Sequence, residues 1–158
     1  MLALRTFVGL LTVIAVAALC LLRWIRRNIT IVRVLGPSMS PTYRDGEKVI
    51  TRRVRTSKLR TGDVAVLNTV TGHRVSPGAA ATHLPVIKRV AALPGDMVPE
   101  DIRFAAWGTR QVPRTVPAGL LLVLGDNRES SIDSRSYGFL SLNAVEGKVM
   151  RKLREERR

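Results

Sequence analysis

Cysteine, histidine, aromatics and acidic residues are all scarce in this 158-residue chain. The single cysteine, Cys20, excludes an intramolecular disulfide and a cysteine metal site, and one unpartnered thiol leaves the redox compartment unread. It falls inside an apolar N-terminal segment, where the preceding Leu19 is larger than the small residue a lipoprotein cysteine wants, so it reads as a small buried apolar side chain. The two histidines, His73 and His83, sit in or beside a loop-like stretch with poor positional control, which argues against a histidine-based triad. No cluster of His, Cys, Asp and Glu has metal-ligand spacing, so neither a metal nor another cofactor is expected. With two Trp, two Tyr and three Phe, any core must rest on Val, Leu, Ile and Ala, which favours a compact, mostly β body.

Negative charge is the sharpest deficit: 12 acidic residues face 26 basic ones, for a formal net charge of +14 and a pI near 11.5. That imbalance points to nucleic acid or to an anionic membrane surface. The arginines are strewn along the chain, with clusters at Arg23, Arg26 and Arg27, at Arg52, Arg53 and Arg55, and in the tail from 151 to 158. No helix-turn-helix, zinc finger or aromatic stacking motif accompanies them, so the reading is a solvated or lipid-facing basic surface with no nucleic-acid partner.

Long apolar runs are missing as well, with one exception. Residues 6–22 pass without a charge, and Leu2 to Leu4 before them and Trp24 and Ile25 after them extend the stretch towards spanning length. One transmembrane helix is predicted, dividing the chain into an anchor with a basic juxtamembrane end (1–27), a single domain (28–154) and a charged tail (155–158). The competing reading is a cleaved signal peptide, with Arg5 as its charged region and Ala15-Val16-Ala17 as its cleavage site. The run of apolar residues on through Cys20 to Leu22 favours the retained anchor. Arg23, Arg26, Arg27 and Arg33 follow the helix and only Arg5 precedes it, so the positive-inside tendency taken alone puts the body in the cytoplasm.

The body reads as a meander. Residues 30–35 alternate as a strand running into the turn Gly36-Pro37-Ser38; residues 48–54 and 64–67 form further short strands around the turn Arg60-Thr61-Gly62-Asp63. Residues 68–83 lack periodicity and read as an exposed loop. A strand resumes over 86–92 and stops at Pro94-Gly95-Asp96, an irregular stretch with a small hairpin covers 100–117, and the continuous apolar run 120–124 suits a fully buried strand. A short helical turn over 142–146 and a last strand over 147–153 complete the reading.

Two residues stand out chemically. Lys88, in Val86-Ile87-Lys88-Arg89-Val90, lies among branched apolar residues at strand alternation, and desolvation disfavours its charged form. A neutral amine can take a proton from a serine, and Ser38 follows a strand end beside Gly36 and Pro37. Taken singly, Lys88 is an ordinary strand lysine with a wet head and Ser38 an ordinary turn serine. A third segment changes this: Gly125-Asp126-Asn127-Arg128-Glu129-Ser130-Ser131-Ile132-Asp133-Ser134-Arg135 is dense in short polar groups after a buried strand, as a hydrogen-bonded support would be.

These three segments, in this order, resemble the type I signal peptidases, membrane-bound Ser-Lys proteases that remove export signals. Gly36-Pro37-Ser38-Met39-Ser40-Pro41-Thr42 is similar to the nucleophile box, Lys88-Arg89-Val90-Ala91-Ala92-Leu93-Pro94-Gly95-Asp96 to the general-base box, and residues 125–135 with Gly138 to the Gly-Asp-Asn-Arg box. The resemblance implies a compact signal-peptidase-like β fold, with Ser38 as nucleophile, Lys88 as general base and Ser131 orienting the amine. Asp126 belongs to the supporting box, and Asp133 with Arg135 would make a structural ion pair. It also implies oxyanion donors at Ser38 and at Gly36, although Gly36 lacks the hydroxyl some members carry there. Leu35, Gly36, Met39, Val86 and Ile87 match substrate-lining positions whose apolar character suits alanine at one and three residues before the scissile bond.

The partners so implied are exported precursor proteins with signal peptides, alongside membrane lipid; nothing bears on oligomeric state. The resemblance places the body on the outer face of a membrane, against the flanking charges, and 21 arginines against five lysines fit a GC-rich bacterial source. Three features depart from the family pattern. The stretch between Gly95 and Gly125 is short, so a second β-subdomain must be minimal or absent; Glu129-Ser130 replaces an acidic-amide pair; and Tyr137-Gly138-Phe139-Leu140 lacks a nearby proline. These fit a compact subtype, shared with mitochondrial inner membrane peptidases and with dedicated maturation proteases. Two other readings stay open beside it. One is a self-cleaving regulator, which would need a DNA-binding domain where the helix stands; the other is a catalytically silent anchored binding protein.

Overall fold

The computed structural model describes residues 2–68, 85–103 and 112–153. It divides into two units, Met1–Thr30 and Ile31–Arg158. The expected loop over 68–83 and the tail at 155–158 fall almost wholly outside the described residues, as do His73 and His83.

The first unit is the helix α1, Leu2–Asn28, of which Thr6–Asn28 is long and apolar enough to cross a membrane. It runs past the uncharged stretch because arginine is a good helix former and Arg26 and Arg27 lie in the last turn, where cations complement the helix dipole. Its polar groups bond within the helix: the Thr12 hydroxyl donates to the Gly9 carbonyl at 2.7 Å and the Asn28 amide to the Trp24 carbonyl at 2.8 Å. Cys20 is exposed on the helix surface, not enclosed by protein as its composition class suggested; an isolated apolar helix offers its side chains to the surrounding phase.

The second unit is built on a seven-stranded sheet in the order β1-β2-β7-β3-β4-β5-β6. The strands are β1 (Ile29–Arg33), β2 (Lys48–Arg52), β3 (Val64–Asn68), β4 (Pro85–Ala92), β5 (Leu120–Leu124), β6 (Leu140–Ser141) and β7 (Val145–Lys152). Consecutive strands β3, β4, β5 and β6 pair antiparallel, while β7 returns across the chain to lie between β2 and β3. That order leaves β1 and the two-residue β6 at the edges of the sheet.

The middle of the sheet, β3 to β5, is buried on both faces, and side-chain alternation sorts its residues between two cores. Val64, Val66 and Ile87 join Val34, Met39 and Val49 on one face. Ala65, Leu67, Val90, Leu121 and Val123 join Leu59 on the other. This is why residues 64–67 and 121–123 are apolar without interruption: both neighbours of every residue need burial. A third cluster gathers Ala92, Val98, Ile102, Val116 and Leu122. Most of the hairpin expected over 100–117 lies outside the described residues; the described parts around it hold the short helix α2 (Glu100–Arg103) and a bridge pairing Met97 with Thr115.

Two short elements carried no periodic signal. The helix α3, Ser134–Tyr137, starts on the Asp133 carboxylate, which accepts from the Arg135 N–H; β6 has two residues. The helical turn expected over 142–146 is a 3-10 turn at Leu142–Ala144.

Where β7 passes between its partners, Gly147 lies opposite Val66, and a Cβ added there would sit 2.6 Å from the Arg52 carbonyl oxygen on the other side. Neither backbone can retreat without breaking the ladder. Gly147→Ala is therefore expected to destabilise the fold by about 1–3 kcal/mol, read as a lower denaturation midpoint at unchanged slope.

Candidate active site

The turn after β1 is held on both sides of Ser38. Upstream, Val34 is buried, its N–H donates to the Glu47 carbonyl at 2.8 Å and its carbonyl accepts from the Gly46 N–H at 2.9 Å. Downstream, Met39 is 0% exposed and its carbonyl accepts from the Tyr43 N–H at 2.9 Å, while the Ser40 N–H closes on the Pro37 carbonyl at 3.0 Å. Gly36 adopts a left-handed φ of +79°, the conformation only glycine takes readily, and Pro37 fixes the next φ. Ser38 is half-buried between these anchors, and among the described residues no acceptor takes up its N–H.

Lys88 lies in the middle of β4, opposite Ala65 of β3, on the face it shares with Val86 and Val90. It is 6% exposed, and its Nζ donates to the Ser131 hydroxyl oxygen at 2.8 Å. Burial pushes the amine below the usual lysine value; the Asp133 charge works against that and the Arg135 guanidinium adds to it.

The segment after β5 supplies the partners. Asp133 is 0% exposed, and its carboxylate accepts from Arg135 Nε at 2.9 Å, from Arg135 Nη2 at 2.7 Å and from the Gly125 N–H at 2.9 Å. Burial alone would raise the Asp133 pKa; the bonds from Arg135, Gly125 and the Ser131 hydroxyl outweigh it and hold the carboxyl below its usual range. Ser131 thus gives its proton to Asp133 and its lone pair to Lys88. The adjacent Ser134 hydroxyl oxygen accepts from the Val123 N–H at 2.9 Å and closes the end of β5.

Asp126 does different work. Its carboxylate takes a bidentate grip from Arg89, Nε at 2.7 Å and Nη2 at 2.6 Å, and Arg89 also reaches the Gly62 carbonyl at 2.8 Å. The Arg89 bonds, helped by a hydrogen bond from the Thr42 side chain, lower the Asp126 pKa. Arg89 points to the opposite face from Lys88, so the two neighbours tie β4 to the same polar segment from two sides. Arg89 was legible only as part of the Lys-Arg box; the signal that would have singled it out is a cation one residue from a buried lysine, followed by a distant Gly-Asp.

Gly125 is where these pieces meet. A Cβ on it would overlap the Ser131 side chain and lie 2.6 Å from the Ser38 carbonyl oxygen, and the Asn127 N–H donates to that same carbonyl at 3.0 Å. The structure therefore brings Lys88 onto Ser131 and sets the Ser38 backbone beside Ser131. Among the described residues no hydrogen bond joins the Ser38 hydroxyl directly to the Lys88 amine.

Three expectations change. The Gly36 N–H donates to Asp45 Oδ1 at 2.8 Å, so it is already engaged and is not a free oxyanion donor. Met39 and Ile87 are core side chains packed with Val34, Val49, Val64 and Val66, because the turn and the strand alternation aim them inward. Of the other substrate-lining candidates, Leu35 is 60% exposed, and Val86 is half-buried against the second core. Among the described residues no group of three His, Cys, Asp or Glu side chains could hold a metal ion.

The site thus holds a buried amine on a sheet strand, bonded to one serine, with the backbone of a second serine's turn packed alongside. The family described as signal peptidase, peptidase S26, matches residues 4–103 and 99–153, so the chain belongs to that family and is a signal-peptide-cleaving serine peptidase of the signal peptidase I class. Signal peptidase IB of Staphylococcus aureus (strain COL) is 31% identical over 155 residues, 77% of this chain and 75% of that protein. Mitochondrial inner membrane protease subunit 1 of Schizosaccharomyces pombe is 31% identical over 121 residues, 73% of this chain and 67% of that protein. The crystal structure of a signal peptidase I from Enterococcus faecalis V583 matches with a TM-score of 0.41 at 22% identity, over 59% of this chain and 97% of that one.

Because three segments converge on one missing side chain, Gly125→Ala must displace either Ser131 or the Ser38 carbonyl. Its peptide-cleaving rate is expected to fall about 100-fold, the cost of misplacing reacting groups by an ångström. Circular dichroism should still show the folded sheet.

Proposed function

We propose that Ser38 is the nucleophile and Lys88 the general base of an acyl-enzyme mechanism that cuts signal peptides from exported precursors after Ala-x-Ala. The observation that carries this reading is the Lys88 amine, 6% exposed and hydrogen-bonded to Ser131 at 2.8 Å beside the Ser38 turn.

The neutral amine takes the Ser38 hydroxyl proton as Oγ bonds to the scissile carbonyl carbon. The carbonyl oxygen becomes an oxyanion facing the uncommitted Ser38 N–H. Collapse breaks the C–N bond, the lysine ammonium protonates the leaving amine, and the neutral lysine then deprotonates a water that releases the acyl group. The transient ammonium gains the Ser131 oxygen and the Asp133 charge as partners. In the resting state burial is the main influence lowering the amine's pKa; the Asp133 charge opposes it and the Arg135 guanidinium adds to it. An extended substrate pairing by its main chain, with small side chains beside Leu35 and Val86, accounts for alanine at the two recognised positions.

The body acts on the outer face of a bacterial cytoplasmic membrane, where export signals emerge, with α1 as anchor and the basic surface towards lipid headgroups. Arg23, Arg26 and Arg27 oppose this topology by the positive-inside tendency. Protease added outside intact cells should digest the body if this topology holds and spare it if the flanking charges set the orientation.

Ser38→Ala and Lys88→Ala are each expected to abolish processing of an Ala-x-Ala precursor while the melting temperature stays near wild type; cleavage by either purified variant removes the mechanism. The pH dependence follows from the sign of the lysine shift. The active form is the deprotonated amine, and burial lowers its pKa from 10.5, so kcat/KM should rise with pH and level off below that value. A profile flat from pH 6 to 10 would contradict a lysine base.

A further inference from the structure

Asp45 lies outside every motif considered above, in the turn that leads into β2. We infer that it is a positioning residue for the nucleophile, an inference that rests on the reading of Ser38 as nucleophile. Its Oδ1 accepts the Gly36 N–H at 2.8 Å, two residues before Ser38 and nine before itself.

The backbone around Ser38 shows why that bond matters. Downstream, the turn is fixed by Met39 in the core and by the Ser40 and Tyr43 N–H groups; across the site, the Asn127 N–H fixes the Ser38 carbonyl. Upstream, the last strand-like anchor is Val34, and between it and Ser38 stand an exposed Leu35, a glycine at φ +79° and a proline that has no N–H to give. The Asp45 carboxylate is the acceptor for the single N–H that Gly36 and Pro37 together possess. Without it, Gly36 is free to rotate, and the orientation of the Ser38 N–H and hydroxyl rotates with it.

Asp45 is itself held for the task. The Gly46 N–H bonds to the Val34 carbonyl at 2.9 Å, the Glu47 N–H to the Arg44 carbonyl at 3.2 Å, and the Arg44 N–H to Glu47 Oε2 at 2.9 Å; Glu47 in turn meets Lys152 of β7 at 2.9 Å. Among the described residues Asp45 has no cationic partner competing for its carboxylate. The bond spends the Gly36 N–H on turn geometry, which leaves the Ser38 N–H as the backbone donor near the developing oxyanion.

The test compares Asp45→Ala with Asp45→Asn in the full chain in detergent micelles, cleaving a quenched Ala-x-Ala precursor peptide. Asp45→Ala should lower kcat about tenfold. Asp45→Asn, whose amide oxygen is still an acceptor, should recover most of the rate. The pH at which the rate levels off should stay at its wild-type position in both, since Lys88 is held by Ser131 on another segment. A wild-type rate in Asp45→Ala, a loss in Asp45→Asn equal to that in Asp45→Ala, or a displaced pH profile overturns the role. Should Asp45→Ala not fold, amide hydrogen exchange at Gly36 in the wild-type chain decides: slowed exchange supports the bond, and exchange at the free-peptide rate overturns it. A Ser38→Ala enzyme that still cleaves would instead bring down the nucleophile assignment; a dead Ser38→Ala beside a fully active Asp45→Ala brings down only this inference.

Discussion

Taking a lysine amine out of water costs free energy unless the amine sheds its proton or finds a counter-charge, and the position of Lys88 in the sheet imposes that choice. Val86 and Val90 flank it on β4, Ala65 faces it from β3, and one hydroxyl, that of Ser131, is offered as partner. A hydroxyl oxygen accepts from either protonation state, so it orients the amine without forcing it to stay charged. A carboxylate in the same place would have held the ammonium. The rest of the polar segment keeps that single contact in register.

Two ion pairs do this, and their surroundings differ enough to separate their roles. Asp133 is fully enclosed and its partner Arg135 is 20% exposed, so removing Arg135 would leave a buried charge, a defect of about 3–5 kcal/mol. Asp126 and Arg89 are wetter, at 14% and 36% exposed, and their value lies in geometry: the guanidinium spans from Asp126 to the Gly62 carbonyl and so joins the polar segment to the turn before β3. The Lys152–Glu47 pair on the far strand is largely exposed and carries little stability by itself, about 0–1 kcal/mol. Its interest is indirect, through the turn that carries Asp45.

Much of this was legible beforehand because strands that bury both faces must be apolar throughout and turns must carry glycine, proline or short polar residues. β4, β5, the helix and the turns at Gly62 and Gly95 follow from those demands, and so does a desolvated Lys88. The two-residue β6 and the four-residue α3 did not follow, since neither is long enough to show a period. The insertion of β7 between β2 and β3 was not legible either: strand pairing across some eighty residues is chosen by core packing, which no local pattern encodes. Met39 and Ile87 illustrate the same limit in the site. Apolar residues beside Ser38 and Lys88 have equal reason to line a groove or fill a core, and only the direction of the backbone decides.

The order and composition of three short segments determined on their own that a serine, a lysine and a polar support belong together, because few chemistries need a dry amine near a hydroxyl. Linear order could not say which donors remained free. The tertiary structure decided that: it turned the Gly36 N–H towards a carboxylate nine residues away, aimed Arg89 and Lys88 to opposite faces of one strand, and left room at Gly125 for no side chain at all. A hydrogen bond depends on distance and angle between groups remote in the chain, and those are set only when the cores close.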